Sequence, residues 1–173
     1  MRNLRVAACQ FEHRDNDPVY NLSRIRDLTR KAVELGAEMV SFHEGCIHGY
    51  SWIQPLDKPA LLKVAERVPS GPSVSALEAI AVELQTVVMA GLFERDSQER
   101  VWNTYVTVSP DGFVAKFSKL HPFVNPHLSA GSEYQVIDLL GCKVGFLICY
   151  DNNLPENVRL TAMLGAEIIV MPH

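Results

Sequence analysis

Three polar side chains that follow apolar runs in this sequence could together perform covalent chemistry. Cys149 ends one apolar run, Glu44 comes two residues after Phe42, and Lys119 comes two residues after Phe117. A thiol becomes a strong nucleophile when a base takes its proton, and a carboxylate in a partly apolar cleft has the proton affinity that a base requires. An ammonium group beside a tetrahedral intermediate would stabilise its negative oxygen. Together the three residue types are suited to attack on a carbonyl-like carbon.

Each of these residues also has an ordinary explanation when it is taken alone. Cysteines are often small core residues, and most glutamates and lysines lie on the surface. The chain has six histidines, but none of them lies in a signature that would pair it with a protease cysteine: His13, His43, His48, His121, His127 and His173. Glu44 is therefore the stronger candidate for the base, and a Cys–His protease is disfavoured.

Short apolar runs alternate with segments of helical periodicity along the chain. We predict buried strands at 4–10, 39–42, 86–90, 136–139, 142–149 and 167–171, and a hairpin of 104–108 with 113–117. Helices are predicted from Asp17-Pro18 to Gly36, from Gly71-Pro72 to Leu84, and from Pro155 to Gly165, because proline suits the first turn and glycine the end. The alternation predicts an α/β protein with a largely buried sheet.

The candidate nucleophile would lie where ligands bind in such folds, at the carboxyl end of a strand. A polar turn follows Cys149 and leads to the helix that has Pro155 near its start. Amides at that helix start would favour the thiolate and could bind an oxyanion.

One segment near the start of the chain is echoed near its end. Leu35–Val40 (LGAEMV) matches Leu164–Ile169 (LGAEII) at an offset of 164 − 35 = 129 residues, which maps Glu44 onto His173. The match is explained either by a duplicated half or by the general similarity of helix–strand junctions, and the sequence leaves both open.

Composition and charge restrict the class of protein. The chain has 173 residues, of which 47% are hydrophobic and 21% charged, and this is typical of an ordinary globular domain. A net charge of −4 gives no electrostatic footprint for nucleic acid, and no segment has the pattern of a signal peptide or a membrane span. The four cysteines lack CxxC spacing, so we expect free thiols in the cytosol and no metal site.

The three candidate segments together resemble the nitrilase superfamily, or carbon–nitrogen hydrolases. The resemblance rests on Phe42-His43-Glu44, on Lys119-Leu120-His121, and on Cys149-Tyr150-Asp151 followed by Pro155-Glu156. Their order and spacing suit the family, and further matches occur at Val6–Gln10, Trp102-Asn103-Thr104 and Ala130-Gly131. The resemblance covers essentially the whole chain.

The resemblance implies a four-layer α-β-β-α sandwich and a hydrolase of small amides, N-carbamoyl compounds or nitriles. In that case Cys149 forms a thioester, Glu44 transfers the proton, and Lys119 with the amide after Cys149 holds the negative charge, without metal or organic cofactor. The substrate or oxyanion pocket is expected to include Tyr50, Trp52, His121, Tyr150 and Asn152. A tyrosine and a tryptophan in a loop could equally be packing anchors.

The chain departs from the family pattern at two positions and in length. His43 stands where proline is usual, and His127 stands where amidase-like members have a second glutamate, with Glu133 nearby. Family domains are longer, so we expect residues 1–173 to be the N-terminal portion of one domain, with exposed sheet edge and apolar surface. A homo-oligomer or a separate C-terminal chain would cover that surface. The alternative is a truncated, inactive homologue that acts as a binding or assembly subunit.

Overall fold

Eight strands and four helices form along residues 3–173, which are the residues that this computed structural model describes. The strands are β1 (Val6–Ala8), β2 (Met39–Ser41), β3 (Val87–Arg95), β4 (Val101–Ser109), β5 (Gly112–Ser118), β6 (Val136–Leu139), β7 (Cys142–Phe146) and β8 (Ile168–Val170). The helices are α1 (Pro18–Glu34), α2 (Lys58–Val64), α3 (Pro72–Leu84) and α4 (Pro155–Met163). Short 3₁₀ segments form at Ser51–Ile53 and Cys149–Asn153.

The strands form two sheets. The first has the order β1-β2-β3-β4-β5, with parallel pairing from β1 to β3 and antiparallel pairing from β3 to β5. The second has the order β6-β7-β8, in which β6 is antiparallel and β8 parallel to β7. Parallel neighbours need a crossover connection, and α1 supplies it between β1 and β2 while α4 supplies it between β7 and β8.

Helices α1 and α3 cover one face of the first sheet. Ile25 of α1 and Leu77 of α3 belong to a buried cluster that also contains Val40 of β2 and Val88 of β3. Helix α1 begins at its predicted place because Asp17 accepts a hydrogen bond from the backbone N–H of Tyr20 at 3.0 Å, and this satisfies an otherwise free amide of the first turn. Removal of these apolar side chains from water is what holds the helices on the sheet.

The other face of the first sheet packs against the second sheet. Tyr105 and Phe117 of the first sheet lie in one cluster with Phe146 of the second, and the ring centroids of Phe117 and Phe146 are 6.4 Å apart. Val158 of α4 packs against this cluster from the far side of the second sheet. The layers therefore run α1/α3, first sheet, second sheet, α4, which confirms the predicted four-layer sandwich.

Two strand predictions need correction. The segment 4–10 is not a buried strand: β1 covers only Val6–Ala8, and Val6 is 41% exposed because β1 is the outer strand of its sheet. The run 142–149 is not one strand either, since β7 ends at Phe146. Cys149 has a φ of +46°, which is incompatible with extended backbone.

Helix α2 was not predicted from the sequence. It has seven residues, too few to show a helical period, and its start is set by Asp57, which accepts a hydrogen bond from the N–H of Ala60 at 2.9 Å. Its Leu61 is buried with Ile53 and Phe93. The helix thus packs the segment that follows Glu44 against Phe93 of β3.

The repeated segments occupy equivalent places in two parallel βαβ units. Helices α1 and α4 end at Glu34 and Met163, and strands β2 and β8 begin at Met39 and Ile168, so both pairs keep the offset of the sequence match. The segments after β2 and β8 also meet, because the N–H of Glu44 donates to the carbonyl of His173 at 3.3 Å.

Apolar surface is exposed around the second sheet, as expected. Leu160, Met163 and Leu164, in α4 and directly after it, are exposed. Among the described residues, strand β8 pairs with β7 on one side only. These features leave an apolar helix face and a strand edge open to further contacts.

We expect Phe146→Ala to lower the free energy of unfolding by about 3–5 kcal/mol, because it removes a buried ring from between the two sheets. Urea denaturation followed by circular dichroism measures the change. Val114→Ala is the control, since Val114 is partly exposed on β5 and should change the value by less than about 1 kcal/mol. A loss no larger in Phe146→Ala than in the control would contradict this packing of the sheets.

Candidate active site

Glu44 is held in a tight loop directly after β2. Its side chain is buried, with 4% of the residue exposed, and its backbone packs against β3 at Gly91. A β-carbon at Gly91 would lie 2.3 Å from the amide nitrogen of Gly45, so only glycine allows this approach. The carboxylate of Glu44 is thus fixed beside the end of the sheet.

Lys119 follows β5 directly and points inward, with only 1% of the residue exposed. Its N–H donates to the carbonyl of Asn103 at 2.8 Å, and its own carbonyl accepts from the N–H of Gly131 at 2.8 Å. Its ammonium group lies 2.6 Å from Oε1 of Glu44, so the two charges form a buried ion pair.

Cys149 lies three residues beyond β7, at the start of the 3₁₀ segment Cys149–Asn153. Its N–H donates to the carbonyl of Pro172 at 2.8 Å, and its left-handed backbone turns the chain sharply at this point. A non-glycine residue in this conformation is strained, and such strain is concentrated at functional sites. The residue is partly accessible, so the thiol is not sealed in the core.

The charges of Glu44 and Lys119 act on the thiol of Cys149 in opposite directions. Burial and the nearby carboxylate of Glu44 raise the pKa of Cys149 above its ordinary value, while the ammonium of Lys119 and the N–H of Tyr150 lower it. The three residues that the sequence singled out therefore meet around one sulfur atom. Proton transfer between the thiol and the carboxylate is the chemistry that this arrangement permits.

Asn103 is a residue of the site to which sequence reasoning gave no role. Its side-chain NH₂ group donates to Oε1 of Glu44 at 2.5 Å, and its backbone carbonyl accepts from the backbone N–H of Lys119. It thus holds both members of the ion pair. The signal was present in the motif Trp102-Asn103-Thr104, where an asparagine interrupts a strand otherwise rich in β-branched and aromatic residues.

The predicted pocket residues Tyr50 and Trp52 differ in their surroundings. The Tyr50 ring lies 5.6 Å from the Lys119 ammonium, and burial together with the negative charges of Glu44 and Cys149 raises the pKa of its hydroxyl. Both side chains pack against the buried cluster of Ile53, Leu61 and Phe93, and Trp52 donates its indole N–H to the carbonyl of His48 at 2.7 Å. Tyr50 faces the ion pair, whereas Trp52 is a packing anchor.

Of the other predicted pocket residues, His121 and Tyr150 border an open cavity of about 540 Å³ whose further lining is apolar: Leu120, Pro122, Phe123, Leu128 and Ala130. Phe123, which is 63% exposed, meets the Tyr150 ring edge-on at 5.5 Å and lies 5.1 Å from the Lys119 ammonium. Asn152 has both side-chain polar atoms buried without a hydrogen-bond partner among the described residues.

Among residues 3–173, the side-chain hydrogen-bond partners of the ion pair do not include the residues that depart from the family pattern. His43 contacts the His13 ring nitrogen at 3.2 Å, and burial and His13 lower the pKa of His43 to about 4. His127 is exposed and its N–H donates to the side chain of Asn125, and Glu133 is exposed too. The position of the second glutamate is thus occupied by an exposed histidine, and the nearby carboxylate of Glu133 is exposed as well.

Residues 3–173 contain neither a cluster of side chains suited to a metal ion nor a helix suited to a membrane. No group of three or more histidine, cysteine, aspartate or glutamate side chains in this range is placed to hold a metal ion. No helix in the same range has the length and apolar character needed to cross a membrane.

Comparison with known proteins gives consistent matches. The family model described as Carbon-nitrogen hydrolase matches residues 5–173. The chain is 29% identical over 172 residues to a nitrilase of Pyrococcus abyssi, covering 98% of this chain and 64% of that protein. It is 31% identical over 175 residues to an (R)-stereoselective amidase of a Pseudomonas species, covering 98% and 60%.

A solved structure gives a similar result. A variant of an amidase from Nesterenkonia sp. AN1, in complex with butyramide, matches with a TM-score of 0.81 at 25% identity, covering 98% of this chain and 64% of that one. The chain thus spans 64%, 60% and 64% of the length of these three relatives.

We expect Glu44→Gln to lower, and Lys119→Met to raise, the pH at which Cys149 reacts half-maximally with iodoacetamide. The first change removes a negative charge that opposes the thiolate, and the second removes a positive charge that favours it. Mass spectrometry gives the alkylation rate at each pH in a Cys9→Ala background, because Cys46 and Cys142 are buried. Shifts in the same direction for both variants would contradict the arrangement.

Proposed function

Because the chain belongs to the carbon–nitrogen hydrolase family, also called the nitrilase superfamily, we propose that it hydrolyses a small amide through a thioester on Cys149. The observation that carries the proposal is the buried ion pair of Lys119 and Glu44 next to a partly accessible thiol. Substrate and turnover belong to the proposal, since the chain spans only part of the length of its relatives.

In the first step Glu44 acts as the base. Its carboxylate takes the thiol proton as Sγ of Cys149 bonds to the amide carbon, and the carbonyl oxygen becomes negative. Burial and the carboxylate of Glu44 raise the pKa of the Cys149 thiol, so the thiol keeps its proton until the sulfur attacks. Asn103 holds the carboxylate for this transfer through its 2.5 Å hydrogen bond.

Lys119 stabilises the negative oxygen of the tetrahedral intermediate. The N–H of Cys149 already donates to Pro172, so it does not contribute. The N–H of Tyr150, which is oriented toward the sulfur, is the backbone donor that remains. A fixed ammonium and a fixed amide stabilise the charge without reorganisation.

Glu44 then returns the proton. The C–N bond breaks, the leaving nitrogen takes the proton from Glu44, and the acyl group stays on sulfur as a thioester. A water molecule gives a proton to Glu44 and attacks the thioester carbon. The C–S bond then breaks, the acid leaves, and Glu44 gives the proton to the thiolate of Cys149. Glu44, Lys119 and Cys149 would carry out these steps without a metal or organic cofactor.

The cavity beside Tyr150 and Phe123 supports an uncharged substrate. Its lining is mainly apolar, with His121 as the single titratable side chain apart from the Tyr150 phenol. One relative is known with butyramide, a small uncharged amide, and others are named nitrilase and amidase. Hydrolysis of N-carbamoyl compounds and of nitriles would use the same three side chains. A substrate panel therefore includes amides, N-carbamoyl compounds and nitriles.

Ammonia release from a panel of butyramide, other aliphatic amides, an N-carbamoyl amino acid and a nitrile tests the proposal. We expect turnover of at least one class, and a loss of about 10³-fold or more in Cys149→Ala and Glu44→Gln, because each removes a group that changes its bonding in the reaction. Circular dichroism checks that each variant is folded.

Matched controls are Cys9→Ala and Glu83→Gln, which replace a cysteine at the end of β1 and an exposed glutamate of α3. Both should keep near-normal turnover. Near-normal turnover in Cys149→Ala or Glu44→Gln would refute the assigned roles. No ammonia from any compound, with Cys149 unreactive toward iodoacetamide, would favour the alternative of an inactive binding or assembly subunit.

Localisation and assembly stay predictions from the sequence. We propose a cytosolic protein whose residues 1–173 form one portion of a single domain. A homo-oligomer, or a separate chain that completes the sandwich, is supported by the exposed Leu160, Met163 and Leu164.

A further inference from the structure

Asp151 joins two of the three segments that carry the candidate catalytic side chains. We propose that its carboxylate is a positioning group that fixes the Lys119 segment against the Cys149 turn. This role rests on the proposed function, because it matters only if Lys119 and Cys149 act on one substrate.

The two carboxylate oxygens of Asp151 are shared between these segments. Oδ1 accepts from the backbone N–H of His121 at 2.9 Å and from its ring Nδ1 at 3.1 Å. Oδ2 accepts from the N–H of Leu120 at 3.2 Å and from the N–H of Ile148 at 3.1 Å. One side chain thus binds the two amides that follow Lys119 and the amide that precedes Cys149.

A purely local role for Asp151 explains only one of these bonds. An aspartate in a 3₁₀ turn commonly accepts from an amide of its own turn, as Asp151 does from Ile148. The other three bonds reach 30 and 31 residues back along the chain, to His121 and Leu120. The backbone hydrogen bonds of Lys119 go to Asn103 and Gly131, and that of Cys149 goes to Pro172, so the Asp151 side chain makes the connection between the two segments.

The chemistry of the side chain suits this task. Asp151 is fully buried, and among the described residues its only ionisable partner is His121. The carboxylate oxygen serves as the acceptor, so the tautomer of His121 with its proton on Nδ1 fits this contact. Four donors converge on two oxygens, which an asparagine could not satisfy, because its NH₂ group would face two N–H groups.

The Asp151 carboxylate fixes the chain on the C-terminal side of Lys119, whereas other groups fix Lys119 itself. The N–H of Lys119 is fixed by Asn103 and its carbonyl by Gly131, while the residues after it are fixed by Asp151. Without the carboxylate, the amides of Leu120 and His121 lose their acceptor. The ammonium would then shift relative to the sulfur, and misplacement by about 1 Å can lower a rate by about 100-fold.

Asp151→Asn tests the proposal, with Asp138→Asn as the matched control at an exposed site of β6. In Asp151→Asn we expect kcat on the hydrolysed amide to fall about 100-fold with a much smaller change in KM. The pH for half-maximal alkylation of Cys149 should move upward, in the same direction as in Lys119→Met. The reason is that the displaced ammonium of Lys119 no longer stabilises the thiolate. The control should match the parent protein in both measurements.

A folded Asp151→Asn protein with unchanged kcat and unchanged alkylation profile would overturn the proposal. Lower stability with an unchanged alkylation profile would also overturn it, because that result assigns the residue a structural role alone. The alkylation profile needs no turnover, so it decides the role of Asp151 even if the panel yields no ammonia.

If Asp151→Asn does not fold, amide hydrogen exchange of the unsubstituted protein tests the role of Asp151. Leu120 and His121 follow β5 in an irregular segment, where amides normally exchange fast. We expect both amides to exchange at least about 100-fold more slowly than unprotected ones, because Asp151 holds them. Exchange of both at the unprotected rate in the folded protein would overturn the proposal.

Discussion

The buried ion pair between Lys119 and Glu44 constrains the structure around it. Moving an ammonium and a carboxylate out of water is unfavourable, and removing one partner of such a pair typically costs about 3–5 kcal/mol. The pair is therefore stable only if other groups complete its hydrogen bonds, and Asn103 and the Tyr50 ring are placed around it. A fold that supplies these neighbours keeps two opposite charges fixed beside a thiol.

The two-sheet architecture brings these groups together from distant parts of the chain. Glu44 follows β2 and Lys119 follows β5 in the first sheet, whereas Cys149 follows β7 in the second. The sheets pack through aromatic rings such as Phe117 and Phe146, so the ends of strands from both sheets meet at one edge of the sandwich. Packing of the sheets, rather than any local motif, sets the spacing between Cys149 and Glu44.

Apolar period, capping residues and turn residues are local properties, so they predicted the alternation of strands and helices and the starts of α1, α3 and α4. The four layers were implied by the family resemblance, which also joined Glu44, Lys119 and Cys149 into one set. Local patterns could not show that β7 ends before Cys149, since the sharp turn there depends on the tertiary bond to Pro172. They also missed Asn103 and Asp151, whose partners lie 59 and 30 residues away along the chain. Polar side chains with distant partners look like ordinary strand or turn residues until the fold is known.

The residues after β8 connect both halves of the site through the backbone. The carbonyl of Pro172 accepts from Cys149, and the carbonyl of His173 accepts from Glu44. Position 173 is also the one that the internal repeat pairs with Glu44, so the equivalent ends of the two βαβ units lie side by side. Backbone hydrogen bonds at this junction hold Cys149 and Glu44 from one side. The backbone carbonyl of Asn103 and the carboxylate of Asp151 hold Lys119 and Leu120 from the other. The second unit thus contributes main chain at this junction, where the first contributes the carboxylate of Glu44.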